Sequence, residues 1–191
     1  WNIFYVWIGI IFLAGYGFSN LYFLQNNNLS KYVLSFFFSL ALIHLVFQIF
    51  LTSFKFSSDP ENPYTYSQPT EEIYSLTNEV EKIILFKKDV LINVIADDNQ
   101  YWPLPWYFRK AKNVAWNFAP PNDIYKFEII IAQPNFTEEI TDKLYNLPPA
   151  GEKYLYIPLI EKDIPIRPGN YFSSYIRNDL YQKFINTTNI E

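Results

Sequence analysis

The chain has 191 residues, a formal net charge of −4, one histidine and no cysteine. Without cysteine it can build neither a disulfide framework nor a thiolate metal site. The acidic balance argues against nucleic acid, which needs a basic surface.

The average hides two unlike parts. Residues 1–58 contain no Asp or Glu, and only Lys31 and Lys55 as cations. All 19 acids lie in residues 59–191 with 13 of the 15 Lys and Arg, a net of −6. The second part reads as a soluble domain, and the lack of cysteine fits an extracytoplasmic location. The sequence opens at Trp1, so it reads as processed, truncated or the visible end of something longer.

Two apolar runs, 2–24 and 32–54, are each long enough to cross a hydrocarbon core of about 30 Å at 1.5 Å per residue. A short polar turn, 25–31, separates them. The expectation is an antiparallel transmembrane hairpin over 1–56, with Trp1, Tyr5, Trp7, Tyr22 and Tyr32 as interfacial aromatics. Lys31 and Lys55 vote for opposite orientations. His44 sits mid-span with Gln48 one turn on, on the same face. That pair suits a ligand to a haem or chlorophyll metal, a proton relay, or, more plainly, an interhelical hydrogen bond. Each reading turns this face toward protein, not lipid. Gly9, Gly15 and Gly17 permit close helix contact but do not form GxxxG.

Residues 57–69 carry Pro60, Pro63 and Pro69 and read as a linker. The soluble domain is then 70–191. Thr70 is an expected N-cap, with Glu71 and Glu72 in the first turn and Ile73, Leu76, Val80, Ile83 and Ile84 at helical spacing. Lys87 and Lys88 suit the negative end of that helix.

The run 90–96 reads as a buried strand. It leads into 97–109, where two carboxylates, five aromatics, two prolines and an arginine crowd together. In an open α/β sheet, ligands bind in loops leaving the carboxyl ends of strands. Asp97, Asp98, Tyr101, Trp102, Trp106, Tyr107 and Arg109 are therefore the candidate ligand- or partner-binding residues. Trp102, Trp106 and Tyr107 offer flat faces for a sugar ring or an isoprenoid chain. The competing reading is that the aromatics only plug the top of the sheet. Asp97 and Asp98 suit a divalent cation or an acid–base pair, but such pairs more often cap a turn.

Further along, 105–111 reads as a short helix, 113–116 as a strand, 119–123 as a loop and 127–132 as a central strand. Thr137 is placed as the cap of a helix bearing Glu138, Glu139, Ile140, Leu144 and Tyr145. Residues 154–157 read as a strand, Arg167-Pro168-Gly169 as a turn, and 171–185 as a last helix. Helices alternating with short apolar strands predict an α/β domain with a mainly parallel sheet. No Walker loop, GxGxxG, HExxH or Ser-His-Asp set is present. No catalytic group, metal site or cofactor is expected.

Three stretches, DPENPYTYSQPT at 59–70, YWPLPWYFR at 101–109 and RPG at 167–169, resemble the C-terminal region of the flippase-associated membrane proteins of archaeal protein glycosylation and their bacterial relatives. Those proteins look like membrane glycosyltransferases of the protein-O-mannosyltransferase type. The likeness covers roughly 55–180 and brings Arg167 among the candidate binding residues. It implies an extracytoplasmic α/β domain after a last pair of spans, and a polyprenyl-phosphate-linked sugar as the ligand handled. The family's catalytic carboxylate lies in a first external loop that this sequence does not contain. The chain is therefore expected to be non-catalytic by itself. The alternative is an accessory or structural subunit of a larger membrane complex, with other transmembrane subunits as partners.

Overall fold

A computed structural model describes residues 3–59, 61–62 and 68–188, the side chains of Ile3, Phe4 and Thr188 excepted. The chain divides into two compact units, Trp1–Ser57 and Ser58–Glu191. Trp1 and much of the linker, Pro60 and 63–67, lie outside the described residues, and so does a large part of the 59–70 stretch.

The first unit is two helices, α1 (Ile3–Leu24) and α2 (Asn28–Phe50), the latter running into a π-helical turn, Leu51–Lys55. The break is shorter than expected because α2 begins at Asn28. The Asn27 side-chain oxygen accepts from the Leu29 N–H at 2.9 Å, capping the helix there. Lys31 thus falls inside α2, its ammonium 5.5 Å from the Tyr22 ring. Phe18 of α1 stacks on Phe38 of α2 at 4.1 Å. Tyr5–Leu24 and Asn28–Lys55 are long and apolar enough to cross a membrane. None of the described α2 side chains is buried, and His44 and Gln48 are both exposed. In water that much uncovered apolar surface would be costly.

The second unit is α/β. Its elements are α3 (Ile73–Phe86), β1 (Leu91–Ile95), α4 (Leu104–Tyr107), β2 (Asn113–Asn117), β3 (Ile129–Ala132), α5 (Thr137–Asn146), β4 (Tyr156–Arg167), β5 (Asn170–Arg177) and α6 (Asn178–Thr188). The strand order is β2-β1-β3-β5-β4. β1 pairs in parallel with β2 and β3, whereas β5 is antiparallel to both β3 and β4. The sheet is mixed, which corrects the expectation of a mainly parallel one.

The cause lies in residues 170–177, expected to be helical. Phe172, Ser174 and Ile176 face the core while Tyr171, Ser173 and Tyr175 face the other side. That is period two, the strand period. Gly169 at φ +76° makes the tight return from β4. β4 is longer than expected because its Pro158 and Pro165 sit on a free edge broken by register shifts, where a missing N–H is tolerated. Two caps also differ. Glu72, not Thr70, precedes α3, and the Thr70 hydroxyl donates to the Pro165 carbonyl. Phe136 precedes α5, which begins at Thr137.

Helices cover both faces. Ile73, Leu76, Val80 and Ile83 of α3, Leu104 of α4, Phe108 just after it and Leu180 of α6 pack on Ile92, Val94, Ile129, Ile131, Phe172 and Ile176. On the opposite face Ile140 of α5 and Ile124 pack on Ile95, Ile130 and Ala132. At the amino end of β3 the buried Glu128 carboxylate receives Lys87 at 2.8 Å, with Arg177 at 3.7 Å. Arg177 forks onto Asp179 at 2.7 and 2.8 Å, and this contact holds the Asp179 carboxyl below its usual range.

Candidate functional site

The parallel pair β1 and β3 ends side by side, and the chain leaves the two strands toward opposite faces. From β1 it runs through Leu104 and Phe108 on the α3 face; from β3 it runs through Ile140 on the other face. In open α/β sheets ligands bind where the chain diverges in this way, at the carboxyl edge of the sheet. Asp97 and Gln133 head the two departing loops.

A chain of amides joins the loops at this edge. The Asp97 N–H donates to Gln133 Oε1 at 2.8 Å, and Asn135 Nδ2 donates to Asp97 Oδ2 at 3.0 Å. Gln133 Nε2 donates to Asn170 Oδ1 at 2.9 Å, and Asn170 Nδ2 donates to the Gln100 carbonyl at 2.6 Å. Arg167 Nη2 donates to Gln100 Oε1 at 2.8 Å. The loop is tight. Asp98 and Asn99 take left-handed φ values of +40° and +61°, which Asp and Asn tolerate best after glycine. The Tyr101 hydroxyl donates to Asn99 Oδ1 at 2.6 Å.

Above this floor the aromatics divide. Leu104 and Phe108 are buried, and Tyr101 is half-buried with its ring 5.0 Å from Trp116. These three are the plug. Trp102 and Trp106 are 52% and 62% exposed and take little part in it. Tyr107 is half-buried, edge-on to the Tyr74 ring at 5.8 Å. Burial, and then Tyr74, push its hydroxyl up to about 12, so it is neutral at ordinary pH. Arg109 donates from Nη1 to the Trp106 carbonyl at 2.6 Å, and its guanidinium lies 4.6 Å from the Trp106 ring centroid.

The structure thus joins Asp97 to Arg167 through Gln133, Asn170 and Gln100, and joins Arg109 to Trp106. Asp98 is exposed beside them. His44 and Gln48 belong to the helical unit, one turn apart on α2. Gln100, Gln133, Asn135 and Asn170 were not singled out from sequence. One signal pointed to Gln133. Both apolar runs give way to Ala and then a polar residue, Ala96-Asp97 just after β1 and Ala132-Gln133 at the end of β3. Among the described residues no three His, Asp or Glu side chains converge as a metal ion would need. The Asp97 carboxylate is already used by Asn135. What the edge offers is contact: two broad indole faces, one supported guanidinium and a hydrogen-bonded polar floor. No family model, no curated protein and no solved structure matches this chain.

Proposed function

We propose that the chain is a membrane-anchored recognition domain, held by α1 and α2 as a transmembrane hairpin, with no chemistry of its own. Its α/β unit lies on the extracytoplasmic side. The carboxyl edge of the sheet contacts a polyprenyl-phosphate-linked sugar. The observation that carries this reading is the division of the 97–109 loop: the plug is complete without Trp102 and Trp106, which are left as exposed faces. Aromatic faces suit sugar rings and isoprenoid chains, and Arg109 suits a phosphate. The absence of cysteine and the resemblance of the 101–109 run support the location and the ligand class. The test is binding of a synthetic short-chain polyprenyl-phosphate hexose to the full chain in nanodiscs. Wild type should bind, and Trp102→Ala should bind about 5- to 150-fold more weakly, the 1–3 kcal/mol range of a contact residue. Equal affinity in the variant, or no binding by wild type, refutes the reading.

One observation favours a second reading, an accessory subunit of a membrane complex. His44 and Gln48 sit uncovered within a span-length helix. Polar groups at that depth face protein or water far more often than lipid.

A further inference from the structure

The two exposed tryptophans share their edge of the domain with the point where the chain arrives from the helices. Gln68 Nε2 donates to the Asp59 carbonyl at 2.6 Å, and the Asn62 N–H donates to the same carbonyl at 3.1 Å. Two residues on, the Thr70 N–H donates to the Ile166 carbonyl at 3.2 Å, and its hydroxyl donates to Pro165. These are the last residues of β4 before Arg167, which reaches Gln100, two positions from Trp102. Hydrogen bonds at Gln68, Thr70 and Arg167, linked along the chain, therefore connect Asp59 to the carboxyl edge of the sheet. Lys55 ends the second span-length segment. The four residues from there to Asp59 extend at most about 14 Å.

We propose that Trp102 and Trp106 are bilayer-interface anchors, seating the carboxyl edge of the sheet at the headgroup–acyl boundary of the membrane that α1 and α2 cross. The inference rests on the anchoring part of the reading above and is independent of the sugar ligand. Indole is at its best at that boundary, where its body is apolar and its N–H remains wet. Arg109, under Trp106, is placed to meet a lipid phosphate. Charge selects the kind of surface. Asp59, Glu61, Glu71 and Glu72 lie along the stretch of chain that reaches this edge, and Asp97 and Asp98 head its loop, so an anionic bilayer gains nothing here. The occupant is a zwitterionic phosphocholine-type surface, engaged through aromatic faces and not through bulk attraction.

The experiment uses the full chain in phosphatidylcholine nanodiscs. With no native cysteine, a single introduced cysteine carries the only label. A bimane is placed in turn by Trp102→Cys, Trp106→Cys, Lys112→Cys and Phe37→Cys, and is quenched by nitroxide-bearing lipid. Lys112 precedes β2 at the opposite, amino edge of the sheet. Phe37 lies within α2. The expected result is quenching at 102 and 106 at least threefold stronger than at 112. A second measurement keeps the native rings: the emission lost in a Trp102→Phe, Trp106→Phe double variant should be at least twofold quenched by brominated lipid. If the Phe37 site is quenched while 102 and 106 match 112, the inference is overturned and the anchor stands. If the Phe37 site is also unquenched, the anchor itself fails and takes the inference with it. A contact made only in anionic bilayers also overturns the proposal.

Discussion

Trp106 and Phe108 stand two positions apart in the same loop, yet the structure assigns them opposite roles, and truncating each tests that. Trp106 is 62% exposed, so about 100 Å² of a side chain that can bury up to about 250 Å² is covered. At about 25 cal/mol per Å² that is about 2.5 kcal/mol, an upper estimate because the unfolded chain hides part of the same surface. Its contact with Arg109 at 4.6 Å is exposed and adds at most about 1 kcal/mol. Trp106→Ala should therefore cost about 1–2 kcal/mol. Phe108 is 3% exposed within the main core, and Phe108→Ala should cost about 3–5 kcal/mol. For a unit of this size those costs lower Tm by about 4–8 °C and about 12–20 °C. Thermal unfolding of the full chain in detergent, followed by near-ultraviolet circular dichroism, measures both. Equal losses, or a larger loss for Trp106→Ala, would mean that the tryptophan belongs to the plug, and the contact-surface argument would fall.

Acid should weaken the Arg177–Asp179 pair in a defined direction. The folded carboxyl titrates below its ordinary value, so its contribution is present above the unfolded value of about 3.9 and is lost as pH falls through the lower folded one. Asp179→Asn should remove that part of the acid slope; an unchanged slope between pH 5 and 2 would contradict the assignment. If His44 and Gln48 face protein, mild-detergent extraction from the native membrane should yield an assembly larger than one chain, and His44→Leu should shift it toward monomer. A monomer already in wild type would count against the accessory-subunit reading.

Much of the organisation was legible in one dimension. Hydropathy and charge separate 1–58 from the rest because span-length helices tolerate almost no acids, while a soluble surface needs them. The helix at 73–86 and the strands at 91–95 and 129–132 declare themselves through their Ile, Leu and Val content. The 97–109 loop stood out by composition. What the sequence could not settle was the right half of the sheet. Residues 170–177 contain two serines and two tyrosines, and their alternation makes sense only once β3 and β4 pair with both edges and helices cover both faces. β4 carries two prolines that would argue against a strand anywhere but at an edge, and an edge exists only in the assembled sheet. The same holds for the carboxyl edge of the sheet. Asp97, Gln133 and Asn170 are far apart in sequence and isolated from one another until parallel pairing sets Ile95 beside Ala132 and the β4–β5 turn folds back over Gln100. Local spacing reports which face of an element is apolar. Which strands become neighbours, and which tryptophans stay outside, follows from long-range pairing that only the tertiary structure decides.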